Sequence, residues 1–224
     1  MTTDDKGLVA SGISVWAADG RSLVDDVAIR ARAGHTLVIV GESGAGKSML
    51  ARTICALTPH SLRAQGCIAL QGREYDIVRD ARAFKDLRGQ GIVWLPQDPF
   101  TSLSPTQRCG DQIIVGQRLS QRERRERIEE RLRGLPERVA RAYPHELSGG
   151  MRQRVAIAAA LDSSPAVFIA DEPTTALDVT TQKEILDLLS DLRSIRGMAL
   201  VLITHDLALA REYGDEVVVM RHGR

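Results

Sequence analysis

The segment Gly41-Glu42-Ser43-Gly44-Ala45-Gly46-Lys47-Ser48 constrains this chain more than any other feature of its sequence. It fits the pattern GxxxxGK[ST]. It follows the short apolar run Leu37 to Val40 and opens a helical pattern running from Lys47 to about Leu57, the strand, turn and helix that a phosphate-binding loop requires. The glycines let backbone N–H groups turn inward around phosphate oxygens, and the helix N-terminus adds a favourable dipole. Lys47 would reach the β and γ phosphates of a nucleoside triphosphate, and Ser48 would ligate Mg²⁺.

The surrounding pattern agrees with an α/β core. From Val27 the sequence alternates before it becomes the apolar strand Leu37 to Val40, bounded by Gly34 and Gly41. Ile68 to Leu70 and Ile92 to Leu95 read as further short strands. Val167 to Ala170 and Ala199 to Ile203 are strongly apolar, each followed by polar residues and a helical stretch. Strands alternating with helices predict a parallel sheet covered on both faces. The stretch from about Pro99 to Ala160 has almost no strand character and is dense in charge, so it reads as a helical subdomain inserted in that core. At 224 residues and 43% hydrophobic, the chain suits one sizeable domain.

A phosphate-binding loop also needs an acid at the end of a neighbouring strand to hold the Mg²⁺ shell, and Val167-Phe168-Ile169-Ala170-Asp171 supplies it. Asp171 would orient the metal, and Glu172 beside it is placed to polarise an attacking water as general base.

Composition excludes several classes. Thirty Lys and Arg against 29 Asp and Glu leave a net charge of +1, with no global pull toward nucleic acid or an anionic membrane. Gln117 to Arg141 looks basic, but Glu123, Glu126, Glu129, Glu130 and Glu137 are interspersed, so it reads as a solvated helix with internal i,i+4 pairs. Aromatics to stack bases are lacking there, and no nucleic-acid partner is expected. The longest apolar runs, Met198 to Ile203 and Val155 to Leu161, fall well short of the roughly 18 to 20 residues of a membrane span. Met1 to Gly7 lacks the apolar region of a secretory signal, so the expected location is cytoplasmic. Cys55, Cys67 and Cys109 have neither disulfide-framework nor metal-ligand spacing and read as reduced structural thiols.

Leu147-Ser148-Gly149-Gly150-Met151-Arg152-Gln153-Arg154 opens a helix shortly before the Asp171 strand, with Ser148 as candidate N-cap. Here the chain resembles the ABC ATPase family, whose LSGGQ signature this is, with Met151 in place of the usual Gln. A small hydroxyl residue and two glycines at a helix N-terminus form a second anion cradle. The resemblance implies that Ser148, Gly149 and Gly150 meet the γ-phosphate of ATP held by a partner subunit, so that each ATP is sandwiched between two chains. It also implies a Q-loop glutamine at Gln97 that touches Mg²⁺ and water, and a D-loop at Ala176-Leu177-Asp178 that crosses the dimer interface. His205 matches the switch histidine on the γ-phosphate, and Trp16 the amino-terminal aromatic that stacks on adenine. The implied fold is a P-loop NTPase (RecA-like) parallel-sheet core with an amino-terminal antiparallel β subdomain and an inserted α-helical subdomain. Residues 1–224 would form a single ABC ATPase domain, with its core at about 1–98 and 161–224 and the helical subdomain at about 99–160.

Within the family, Pro96 to Pro105, Tyr143-Pro144-His145-Glu146-Leu147 and Ala170 to Gln182 are similar to the dipeptide, oligopeptide and nickel importers. That likeness implies a second ABC ATPase subunit, identical or different, two transmembrane permease subunits, an extracytoplasmic solute-binding protein and a place on the cytoplasmic face of the membrane. Alternatives are an exporter ATPase subunit, a cassette that binds ATP without hydrolysing it, and a non-transport ABC ATPase of DNA repair or translation. The last carries long coiled-coil insertions or two fused cassettes, and neither is visible. Relatives in this branch continue past the position of Arg221 to Arg224 with a further strand and an extension, so a truncated or fused half and a chain lacking that extension both stay open. The stretch between Gln97 and Leu147, which the family uses to dock its membrane subunits, is a few residues shorter than usual.

Overall fold

A computed structural model describes residues 7–98 and 102–224. Pro99, Phe100 and Thr101 of the Pro96 to Pro105 motif lie outside the described residues, as does the amino-terminal stretch Met1 to Lys6.

The chain divides into two compact units. The first comprises Met1–Trp94, Ser164–Glu172 and Leu188–Arg224; the second comprises Leu95–Ser163 and Pro173–Asp187.

The first unit holds two sheets. Strands β1 (Leu8–Trp16), β2 (Ser22–Ala31), β4 (Arg63–Leu70) and β5 (Arg73–Asp76) form a four-stranded sheet in the order β2-β1-β4-β5, and each neighbouring pair is antiparallel. The alternation seen from Val27 onward belongs to β2, which buries Val24, Val27, Ile29 and Ala31 and exposes Asp26, Ala28 and Arg30 between them. Half-buried antiparallel strands carry this period of two. The predicted strand Ile68 to Leu70 is only the apolar end of β4, which begins at Arg63 and pairs with β1 in the antiparallel sheet.

The second sheet is built from β3 (Thr36–Val40), β6 (Ile92–Leu95), β7 (Val167–Asp171), β8 (Ala199–Thr204) and β9 (Glu216–Val219), in the order β6-β7-β8-β3-β9. Pairs β7·β8, β8·β3 and β3·β9 are parallel. Every residue of β3, β7 and β8 is buried, which is why these three strands read as unbroken apolar runs. β9 alternates half-buried and exposed positions at the edge.

Helix α1 (Lys47–Ile54) follows β3 and buries Leu50, Ala51, Thr53 and Ile54. It ends three residues before the expected Leu57: its C-cap is Cys55, and Ala56 turns into the left-handed region at φ 54°. A second short helix, α2 (Ala81–Asp86), buries Phe84.

The second unit carries no strand other than the last residue of β6 among its described residues. Among its described residues are the helices α3 (Cys109–Ile113), α4 (Gln121–Arg131) and α5 (Gly149–Ala160), with short 3-10 turns at Glu137–Ala140 and Pro144–Glu146. The boundary between the units falls inside α6 (Val179–Arg196), and α7 (Leu207–Tyr213) lies in the first unit. Helix α4 buries none of its residues. A Ser120–Glu123 capping box starts it, and Arg122–Glu126 at 2.7 Å and Arg125–Glu129 at 2.8 Å pair along its surface, as the interspersed charges predict. The expected helix over Gln117 to Arg141 is shorter, however: it stops at the C-cap Leu132, because Gly134 turns left-handed at φ 85° and Pro136 follows, and Glu137 lies in the next 3-10 turn. All three cysteines are free, and burial pushes the Cys109 thiol up to about 11. None of the described helices is long and apolar enough to cross a membrane.

Candidate nucleotide-binding site

The strand order decides where chemistry collects. β8 lies between β7 and β3, so the residues that follow three parallel strands are neighbours at one sheet edge. The phosphate loop follows β3, Asp171 ends β7 with Glu172 just after it, and His205 follows β8. Ligands of open α/β sheets bind at this carboxyl end.

Gly41 to Gly46 wrap over the start of α1. A Cβ at Gly41 would meet the Met220 carbonyl oxygen, and at Gly46 it would lie 2.7 Å from the Leu23 carbonyl while the backbone holds φ at 98°. Only glycine satisfies both demands at 46. Glu42, Ser43 and Gly44 are exposed, and Ala45 is buried beneath them. Gly46 caps α1 without a side-chain hydrogen bond, so the first turn of the helix opens toward the loop.

Lys47 is 5% exposed, and its Nζ donates to the carbonyl oxygens of Gly41 at 2.7 Å and Glu42 at 3.0 Å. The ammonium is thus folded over its own loop, where a phosphate would be cradled. Ser48 Oγ donates to Asp171 Oδ1 at 3.0 Å, joining α1 to the end of β7. Burial pushes the Asp171 carboxyl above its ordinary value; the Ser48 hydroxyl draws it back, and the neighbouring Glu172 raises it again. Two hard oxygen donors this close suit a cation such as Mg²⁺, which takes few protein ligands and keeps several waters.

Glu172 Oε2 lies 3.3 Å from His205 Nδ1. Glu172 adopts φ 46°, and its N–H donates to the Ile203 carbonyl at 2.9 Å. A non-glycine residue in the left-handed region is strained, and such strain gathers at functional sites. The His205 side chain is 66% exposed and that of Glu172 only 17%, so the histidine is the more free to follow a ligand. Trp16 is half-buried at the end of β1, opposite Ser22 and Arg63.

The remaining expected residues lie in the second unit. Gln97 is exposed in the bend after β6. Ser148 caps α5, its Oγ accepting from the Met151 N–H at 3.3 Å. Gly149 and Gly150 form the first turn behind it. Asp178 caps α6: Oδ1 accepts from the Thr181 N–H at 3.0 Å and Oδ2 from the Thr181 hydroxyl at 2.7 Å. These two bonds hold its carboxyl below the ordinary value. Thr181 falls within the Ala170 to Gln182 likeness but has no role of its own there, and its grip on Asp178 is the contact that sequence reasoning missed.

The profile of the ABC transporter family matches residues 24–175. The chain belongs to that family. This cassette is 42% identical over 211 residues to the peptidoglycan transport ATP-binding protein YejF of Agrobacterium fabrum, covering 90% of this chain and 38% of that protein. It is 44% identical over 215 residues to a putative peptide import ATP-binding protein of Brucella ovis, covering 90% of this chain and 64% of that one. The cassette therefore spans between about a third and two thirds of these curated relatives. Its fold superimposes on the dimeric post-hydrolysis state of the ATP-binding cassette MJ0796 bound to ADP and phosphate, with TM-score 0.82 and 28% identity over 96% of this chain and 95% of the other.

Proposed function

We propose that this cassette is the ATP-binding and hydrolysing subunit of an ABC importer whose cargo is a peptide or a related small solute. The observation that carries the reading is the placement of Lys47, Ser48, Asp171, Glu172 and His205 at one sheet edge, with Ser48 bonded to Asp171 and His205 beside Glu172. Relatives named for peptidoglycan and peptide transport favour a peptide-type cargo over nickel.

In this reading, Trp16 stacks on adenine. Lys47 exchanges the carbonyls of Gly41 and Glu42 for β- and γ-phosphate oxygens, and the N–H groups of residues 41–48 take the remaining charge. Ser48 and Asp171 would hold Mg²⁺, which would supply charge neutralisation at the phosphates when bound, and Gln97 keeps the Q-loop role that the family likeness implies. Glu172 accepts the proton of the attacking water, and His205 steadies the γ-phosphate from the neighbouring strand end. Ser148, Gly149 and Gly150 close over the γ-phosphate of a partner subunit, with Asp178 at the interface.

The domain is proposed to run through residues 1–224, with about 99–160 as its helical insertion, at the cytoplasmic face of the membrane. Its proposed partners are a second ATPase subunit, two permeases and an extracytoplasmic solute-binding protein. Nucleotide-driven closure would be transmitted to the permeases as conformational change. Affinity purification of the tagged protein from its native membrane tests this. Co-purifying multi-span subunits and a peptide-binding partner are expected; ribosomes or DNA in their place would remove the transport reading.

A further inference from the structure

Gly150 has no left-handed backbone to explain it, because its φ lies outside the positive range that favours glycine. A side chain explains it instead. A Cβ at residue 150 would collide with the Thr181 methyl carbon, closer than real Cβ atoms approach any neighbour. The adjacent Gly149 is less constrained, since a Cβ there would stand 3.3 Å from the mobile end of Leu177.

Thr181 cannot turn its methyl away at no cost. Its hydroxyl donates to Asp178 Oδ2 at 2.7 Å while its N–H donates to Asp178 Oδ1 at 3.0 Å. The methyl and hydroxyl share one Cβ, so a single torsion sets both. Holding the hydroxyl on Asp178 aims the methyl at Gly150, and swinging the methyl aside breaks the bond to the carboxylate. Residues 150, 178 and 181 all belong to the second unit, and the contact is internal to it.

We infer that Thr181 is a positioning residue that ties Asp178 to the first turn of α5, and that residue 150 is glycine in order to seat the Thr181 methyl. The cradle at Ser148 to Gly150 and the acid at Asp178 then move as one piece. The inference rests on the proposed function for its activity readout, whereas the packing is measurable without it.

The test is a set of substitutions in the full chain, assayed with its partner subunits well below each variant's thermal midpoint. Gly150→Ala should lower kcat by about tenfold, the effect of a methyl forced into a packed contact, with the affinity of the Lys47 loop for a fluorescent ATP analogue, measured on the chain without its partners, unchanged. Thr181→Ser keeps the hydroxyl on Asp178 and removes only the methyl. The pair Gly150→Ala with Thr181→Ser should therefore recover most of the kcat. Thr181→Val keeps a methyl but removes the donor, so it should lower kcat alone and fail to rescue Gly150→Ala. If the Ser pair is as impaired as Gly150→Ala, or if Gly150→Ala is itself unimpaired, the inference is overturned. If the unsubstituted protein shows no turnover, the functional reading fails separately and thermal midpoints decide. A midpoint lowered by Gly150→Ala and restored by the Ser pair supports the seat, and an unrestored one overturns it.

Discussion

Glu172 is held in an uncommon backbone conformation, its side chain mostly covered, with His205 Nδ1 3.3 Å from its carboxylate. An amide of the same shape keeps this geometry but cannot accept a proton. Glu172→Gln should therefore retain nucleotide affinity while turnover falls by about a hundredfold or more, the usual worth of a positioned general base. Equilibrium binding beside steady-state hydrolysis checks it, and normal turnover in the variant would remove Glu172 from that role. The residues of this edge were legible because each is fixed by a short local rule. The phosphate loop must sit between a strand and a helix, and Asp171 must end a strand. Thr181 obeys no such rule. A threonine in the first turn of a helix is ordinary, and its meaning arises only when Gly150, thirty-one residues earlier, is folded against it.

The helices of the second unit differ in what secures them. Helix α4 buries none of its residues, yet its last turn and the segment after α3 grip one acid. Asp162, just past the C-cap of α5, receives Arg131 Nε at 2.9 Å on Oδ1 and the Gln117 amide on Oδ2, with Arg127 Nε at 3.7 Å. The side chains of Arg131 and Asp162 are 12% and 8% exposed, so losing Asp162 leaves the covered Arg131 guanidinium with only the longer contact to Glu130 at 3.6 Å. Asp162→Ala should destabilise the protein by about 3 kcal/mol, whereas Arg131→Met with Asp162→Leu should cost much less, because no buried charge is left unpaired. Urea or thermal unfolding distinguishes the two, and equal losses would show that the pair is not what holds α4 to α5. The elements themselves were readable to different depths. β3, β7 and β8 announce themselves by continuous burial on both faces. β4 and β5 do not: Arg63 to Gly66 and Arg73 to Asp76 are mostly polar, β4 is fixed by its pairing with the sequence-distant β1, and β5 in turn by β4. Surface pairing in α4 was legible from charge spacing alone, but its anchor on Asp162 was not, since that contact joins residues far apart in sequence.

One chain carries the Lys47 loop in its first unit and the Ser148 cradle in its second, and the proposed reaction needs each from a different molecule. This arrangement has a consequence that no single substitution exposes. Lys47→Ala removes the phosphate ammonium but leaves the chain's own cradle intact, and Ser148→Arg blocks the cradle but leaves its loop intact. Each variant alone can build no complete site. In a mixed dimer, however, the loop of the Ser148→Arg chain faces the cradle of the Lys47→Ala chain, so one of the two composite sites is whole. Where the cassette pairs with its own copy, mixing the two inactive variants should restore ATP hydrolysis. The restored rate should peak near equal proportions, because random pairing then makes the most mixed dimers. Where it pairs with a different sister subunit, the mixture stays inactive. Each variant combined with that sister then loses one composite site, Lys47→Ala the one built on its loop and Ser148→Arg the one built on its cradle. Hydrolysis by either variant alone at the unsubstituted rate would contradict the shared-site reading in both cases, since a chain that needs no partner's cradle has no use for its own.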